Sequence, residues 1–312
     1  MNNLFIRGWI ADPTLSTNGD PIGGIVNFFK SLQKFVKETS PNLIISVWDG
    51  AGGSLKKRQK NKNYKDGRKP LNLNRFINNL NEGEIEDNRV WQMTKLVEWM
   101  EYCPIHQFMV ENVEADDVIA HISQMKYFEE FQKIIISSDK DFIQLLGDPN
   151  IVLYRPTQKE ILNSKRVVEK FGIHPNNFVI ARAIDGDKSD NLEGVKGVGL
   201  KSVAKYFDFL SKEESCLLSE VLEYCEGKKE EAKVFDKIFN DKERVKENYN
   251  LMQLFSPNTS FQEIQKIEFI IKNEKLYFNK TKLLLKMIEE GASDWNYDAL
   301  FMRFNIMTQE SK

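Results

Sequence analysis

Acidic residues in this chain fall into tight groups: Glu111, Glu114, Asp116 and Asp117; Asp139 and Asp141; Asp185, Asp187 and Asp190. Carboxylates this close repel one another unless cations lie among them, and carboxylate oxygen suits hard divalent ions. Between Leu55 and Arg75 the balance reverses, with nine Lys or Arg against one acid, Asp66. A basic tract of that density suits a phosphate backbone, which attracts cations whatever its base sequence. Each feature alone is ordinary, since acids cap helices or pair with lysines and basic loops are solvated. Together they predict metal chemistry on a polyanion.

Eight carboxylates are the candidate ligands: Asp49, Glu114, Asp116, Asp117, Asp139, Asp141, Asp187 and Asp190. Two Mg²⁺ or Mn²⁺ ions about 3.5–4 Å apart would neutralise them and could clamp a scissile phosphate between an activated water and the leaving oxygen. Asp185 is left out, because a capping or pairing role accounts for it equally well. Directly after Asp190, the run Gly194-Val195-Lys196-Gly197-Val198-Gly199 sits between two helical stretches. Glycines there permit a tight turn, and the next helix presents free amides to a phosphate. Lys196, Lys201 and Lys205 add positive charge. Such a hairpin reads no bases.

The elements that must position these residues follow from hydrophobic spacing. Ile25, Phe28, Phe29, Leu32 and Val36 share a helical face, as do Val90, Met93, Leu96, Val97 and Met100. Short apolar runs at 43–48, 105–110, 133–137 and 151–154 read as buried strands, with a helix over 115–125. Alternating strands and helices predict an α/β domain with a mostly parallel sheet covered on both faces. Ligands gather at the carboxyl ends of such strands, where Asp49, the 114–117 group and the 139–141 pair all fall. Beyond Arg155 the strand signal fades, and stretches at 167–171, 178–184, 201–210, 217–224, 232–239 and 281–288 read as helices. Residues 263–272 are ambiguous. The division falls near residue 175, into a nuclease-like part (1–175) with a basic arch at about 51–85, and a helical part (176–312) carrying the hairpin at about 178–210.

The 312 residues are 41% hydrophobic, enough for a sizeable core, with no apolar stretch of membrane-spanning length. Cys103, Cys216 and Cys225 form no even framework, so reduced thiols and a cytoplasmic setting are expected. Cys103 with His106 could be half a zinc site, but no second pair follows. A net charge of −2 excludes nothing by itself. Trp91 and Trp99 lie on one helix and suit packing.

In family order, NNLFIRGW (2–9), VWDG (47–50), YKDGR (64–68), VEADD (113–117), SSDKDFIQLL (137–146) and GDKSDNLEGVKGVGLKS (186–202) resemble the 5′-nuclease superfamily. This comprises the 5′-3′ exonuclease domain of bacterial DNA polymerase I, phage RNase H-type exonucleases and flap endonucleases. The resemblance covers about residues 1–210. It implies a PIN-like domain, a helix-three-turn-helix clamp and a helical arch. It implies an inner metal site or its water shell at Asp49, Glu114, Asp116, Asp117 and Asp139, and an outer site at Asp141, Asp187 and Asp190. It makes Lys65 and Arg68 arch-base cations beside the scissile phosphate. Lys56, Lys57, Arg58 and Tyr64 become DNA contacts, with Tyr64 stacking on a base or packing under the arch. Gly194, Gly197 and Gly199 become a phosphate-binding hairpin that in relatives also holds a monovalent cation such as K⁺. His106, His121 and His174 match no role.

Relatives start with an apolar strand ending in a metal-binding Asp, whereas this chain starts just after that point. The expectation is that the central strand and its Asp lie upstream of Met1. The alternatives are supply by another segment, or a domain that binds without cutting. Three functions are therefore weighed: a structure-selective 5′-3′ exonuclease or flap endonuclease removing primers or flaps, a catalytically weakened DNA-binding accessory factor, and a PIN-type ribonuclease. The first carries the expected partners, namely branched, flapped or nicked DNA and RNA–DNA hybrid. A single-strand-binding protein or clamp is a candidate for residues 210–312. A monomer acting in a bacterial cell or phage-infected host is expected.

Overall fold

The computed structural model describes residues 1–66 and 80–310, which form two compact units. Unit one takes Met1–Asp49, Lys69–Val110 and Phe261–Lys312; unit two takes Gly50–Arg68 and Glu111–Ser260. Among the described residues no helix is long and apolar enough to cross a membrane.

In unit one, strand β1 (Ile45–Trp48) pairs in parallel with β2 (His106–Met109). Both strands come from the apolar runs in which they were expected. The NNLFIRGW segment forms the helix Asn2–Ala11, and the predicted helix over 22–36 runs Gly23–Thr39. Helix Glu82–Met100 begins earlier than the spacing of its apolar residues suggested. A capping box, Asn81 with Glu84, satisfies its first amides and starts it upstream of Val90. Phe5, Trp9, Ile25, Phe28, Phe29 and Trp99 fill the core together with Leu300 and Phe304. Trp99 is fully buried, as packing required. The ambiguous stretch at 263–272 is helical (Phe261–Asn273), with Ile267 and Ile271 inward. The last helix, Asp298–Glu310, folds back so that Arg303 Nε donates to Pro41 O at 2.7 Å.

Unit two holds the parallel pair β3 (Lys133–Ile136) and β4 (Ile151–Arg155), extended by antiparallel β5 (Glu160–Leu162). Their inner face (Ile135, Leu153 and Leu162) packs with Phe142, Ile143, Leu146, Val167 and Phe178. The expectation of two dry faces fails here. Ile134 and Ile136 are 39% and 40% exposed and Ile161 is 49% exposed, all on the opposite face by strand alternation. Sequence reading missed β5, a three-residue strand clamped by the Arg155–Glu160 ion pair at 2.8 Å. Helices Ala115–Ser123, Ser164–Phe171 and Pro175–Asp185 follow expectation. A short antiparallel pair, β6 (Gly186–Asp187) and β7 (Leu192–Glu193), then leads to helix Leu200–Tyr206. Helices Leu218–Gly227, Lys233–Asn240 and Lys242–Met252 complete the unit, and the last of these was not foreseen.

Candidate metal centre

Glu114 is the N-cap of helix Ala115–Ser123, and Asp116 and Asp117 occupy its first turn, where the positive end of the helix dipole favours anions. One carboxylate oxygen from each of Glu114, Asp116 and Asp117 lies within 4.8 Å of the others. Basic residues close this group. Lys57 Nζ is 2.7 Å from Glu114 Oε2, 3.5 Å from Asp116 Oδ2 and 3.7 Å from Asp117 Oδ2. Lys65 Nζ pairs with the other Glu114 oxygen and lies 3.9 Å from Asp190 Oδ2. The Tyr64 hydroxyl donates to Glu114 at 3.1 Å.

Burial alone would pull the Lys57 ammonium down; the charges of Asp116, Asp117 and Glu114 outweigh it and hold it well above the usual lysine range. Burial likewise opposes ionised Glu114, but Lys57 and Lys65 keep that carboxyl below its ordinary value. The Tyr64 phenol is raised, by burial first and the Glu114 charge next.

A second group lies close to the first, with Asp190 Oδ2 3.9 Å from Lys65 Nζ. Asp139 accepts from the Asp141 amide at 2.9 Å. Arg182, on helix Pro175–Asp185, is buried and reaches three acids. Its Nε meets Asp141 at 3.1 Å, one terminal nitrogen lies 3.4 Å from Asp185, and the other binds Asp187. Its Nη1 also donates to Gly186 O at 2.8 Å. Ser189 supplies both its amide and its hydroxyl to Asp187 Oδ1. The charges of Asp190 and Asp187 act on Asp139, and Asp190 is also within reach of Lys65, so the two groups share one electrostatic neighbourhood. The backbone ties them as well: Lys65 N donates to Asp190 O at 2.8 Å, and Asn191 Nδ2 to Asn63 O at 2.9 Å. Lys65 holds a left-handed φ of 55°, a conformation costly for a residue with a Cβ, and these two bonds pin the loop that contains it.

The donor set fits hard divalent cations. It is all carboxylate oxygen, and in both groups a cationic side chain already sits among the acids.

Behind the second group, Gly186 and Gly197 take left-handed φ values of 79° and 77°. A Cβ on Gly194 would stand 2.1 Å from Asp185 O and 2.3 Å from its carbonyl carbon. Gly194→Ala is therefore expected to push β7 off the end of helix Pro175–Asp185 and cost about 2–3 kcal/mol. Thermal unfolding would show the loss, and an unchanged melting temperature would mean that the hairpin yields at no cost. Lys196, Lys201 and Lys205 are exposed around the turn. Lys237 Nζ donates to Lys196 O at 3.3 Å. Asn248 braces the hairpin by donating to Ala183 O and Glu193 O.

Unit two thus brings together Lys57, Tyr64, Lys65, Glu114, Asp116, Asp117, Asp139, Asp141, Asp187 and Asp190. Asp49 follows β1 as expected but belongs to unit one. Arg68, and residues 67–79 of the arch expected at about 51–85, lie outside the described residues. Lys57 and Tyr64, expected at DNA, are buried against Glu114: the ammonium is taken up by acids and the ring is not presented for stacking. Lys56 reaches Asn258 O at 3.5 Å, and Arg58 is exposed. Arg182 and Asn258, whose amide donates to Asp117 at 2.9 Å, escaped sequence reading. Arg182 had a signal, a lone basic residue three and five positions before Asp185 and Asp187. Asn258 had none.

A 5′-3′ exonuclease of Aquifex aeolicus is 29% identical over 202 residues, covering 64% of this chain and 64% of that protein. DNA polymerase I of Thermus aquaticus is 30% identical over 208 residues, covering 66% of this chain and 23% of the polymerase. The chain thus spans less than two thirds of either relative. Among solved structures, a bacteriophage T5 D15 flap endonuclease in a pseudo-enzyme–product complex with DNA and metal ions has a TM-score of 0.63 at 17% identity, covering 99% of this chain and 96% of that one. A zinc-bound T5 5′-exonuclease reaches 0.58 at 17% identity over 92% of each chain. These likenesses show the fold, a PIN-like α/β domain with a helical C-terminal region. The family described as the 5′-3′ exonuclease, N-terminal resolvase-like domain, matches residues 1–172, more than half of the chain, and the protein belongs to it.

Proposed function

We propose that the protein is a structure-selective 5′-3′ exonuclease or flap endonuclease hydrolysing phosphodiesters of branched DNA or RNA–DNA hybrid, in primer or flap removal during replication. One observation carries this reading: unit two gathers two groups of carboxylates, each crowded enough to hold a buried cationic side chain among its acids. Two divalent ions, Mg²⁺ or Mn²⁺, would be held by Glu114, Asp116 and Asp117 with Asp139, and by Asp141, Asp187 and Asp190. When bound, such ions activate water and stabilise the leaving oxygen. The chain's own part is orientation. Tyr64 and Lys65 fix the Glu114 carboxylate, Ser189 fixes Asp187, and the exposed lysines of the hairpin hold the duplex backbone without reading its bases.

The aligned polymerases and exonuclease support this reading, as do relatives solved with DNA or metal. K⁺ at the hairpin, a single-strand-binding or clamp partner, a monomeric state, a cytoplasmic setting and the division near residue 175 belong to the same proposal. The test is a 5′-labelled flap with Mg²⁺ or EDTA, using this chain and one extended upstream. Mg²⁺-dependent cutting supports the enzyme. Tight binding without cutting by either form would leave the accessory factor.

Proton linkage gives a further expected result. Asp116 is pushed up to about 7 by burial, against the pull of Lys57 and with Glu114 and Asp117 adding to it. Asp141 is also raised to about 7, by burial first and then by Asp139. The ion-free folded state therefore binds protons that the unfolded chain releases near 3.8. The stabilisation from these two groups is complete below that value and is lost as pH rises through about 7. Bound ions require both carboxyls ionised, so Mn²⁺ affinity should rise between pH 6 and pH 8, on the order of tenfold or more, with proton release. Calorimetry in buffers of different ionisation enthalpy measures both, and pH-independent binding would contradict the assignment.

A further inference from the structure

Lys57 belongs to the basic tract by sequence but not by position. Its helix, Leu55–Lys60, carries Arg58, Gln59 and Lys60 in solvent, while Lys57 is 8% exposed. Its ammonium is the cation at the centre of Glu114, Asp116 and Asp117. An ammonium is a compact point charge with three donors, and here it lies within 4 Å of three different carboxylates. Lys65 lies alongside, so two positive charges already face four acids, counting Asp190.

A divalent ion coordinated by the same three carboxylates could not share their centre with an ammonium. At contact distances like charges repel strongly in a partly dehydrated site, and the carboxylate oxygens that would coordinate the ion are engaged by Lys57. One cation must yield. Lys57 is built to do so. It hangs on a four-carbon stem from a helix of six residues that has no side-chain cap. The approach to that helix is Gly50-Ala51-Gly52-Gly53, with Gly52 at a left-handed φ of 70°.

Resting on the metal reading above, we infer that Lys57 is a displaceable counter-ion. It holds the three carboxylates together while no divalent ion is bound, and on ion entry it leaves for the solvent-facing basic tract. Its charge then becomes available to a phosphate backbone only in the metal-loaded protein. Metal binding precedes, and promotes, engagement of nucleic acid by this helix.

The test uses the full chain and Mn²⁺ as the probe. Lys57→Met keeps the stem and removes the charge. It should bind Mn²⁺ at least tenfold more tightly than the natural sequence in calorimetry, and Mn²⁺ should raise its melting temperature by more. In the natural sequence, Mn²⁺ should accelerate amide hydrogen exchange across residues 55–60, and this measurement decides the question if the variant does not fold. Equal or weaker Mn²⁺ binding by a folded Lys57→Met, or exchange at 55–60 that Mn²⁺ leaves unchanged or slows, overturns the counter-ion role and makes Lys57 a fixed part of the site. Absence of Mn²⁺ binding by both proteins would sink the metal reading along with it. Binding by both at equal strength sinks the counter-ion alone.

Discussion

Asp187→Ala is expected to reduce flap cleavage by about 10²–10³-fold while leaving flap DNA bound at least as tightly. Asp187 accepts the Ser189 amide and hydroxyl and pairs with Arg182, so its carboxylate is oriented before any ion or substrate arrives. Burial works against that charge, yet the Ser189 bonds and Arg182 hold its carboxyl below the ordinary value, leaving it ionised at neutral pH. On the metal reading, this carboxylate would hold an ion whose charge stabilises the transition state, and its loss removes that stabilisation, an effect on the order of 10²–10³-fold for one such group. Removing a negative charge from a surface that meets phosphate costs no affinity and should add some. Single-turnover cleavage and equilibrium binding in Ca²⁺ separate the two effects. Retained cutting would show that the acids around Arg182 are structural only.

Arg182→Ala should have the largest effect on stability. The guanidinium side chain is 5% exposed and holds Asp141, Asp185 and Asp187 on one planar fork. Its loss leaves uncompensated carboxylates in a partly dry setting, with an expected cost of about 3–5 kcal/mol. In a chain of this size that corresponds to a melting temperature lower by roughly 5–10 °C. On the metal reading, divalent ions would bind the folded protein in preference to the unfolded chain, so Mn²⁺ should restore much of the loss and stabilise the variant more than the natural sequence. A melting temperature within a degree of the natural one, with no added Mn²⁺ response, would mean that the acids tolerate one another unaided.

The fold was legible wherever one physical signal dominated. The runs that became β1, β3 and β4 carry three or four apolar residues each, and helix Gly23–Thr39 repeats its apolar residues at helical spacing. β5 is three residues long and depends on Glu160 being clamped by Arg155 and Lys170, contacts set by tertiary structure. Helix Lys242–Met252 has five charged residues among its eleven, and Val245, Leu251 and Met252, its buried apolar residues, are too few to give a clear period. At the site, the acids could be found because they end strands or open helices. Their cations could not be sorted by sequence. Nothing in KKRQKNKNYK separates Lys57, which is buried, from Arg58, which is exposed. Tyr64 is the converse case, since an aromatic residue in a basic tract suggests stacking until burial gives its hydroxyl a partner.

The family match ends at residue 172, whereas the props of the acidic site continue well past it. Asp117 receives the amide of Asn258, and Gln144 donates to Met252 O and accepts from Leu254 N. A fragment cut at the border of the likeness would keep the acids of the first group yet strip away their outer brackets. Arg182, Asp187 and Asp190 would be lost with it. Shortening the protein to its recognisable portion should therefore yield a poorly soluble remnant, and a minimal version has to retain both the stretch through Ser260 and the last helix, whose Leu300 and Phe304 fill the core of unit one.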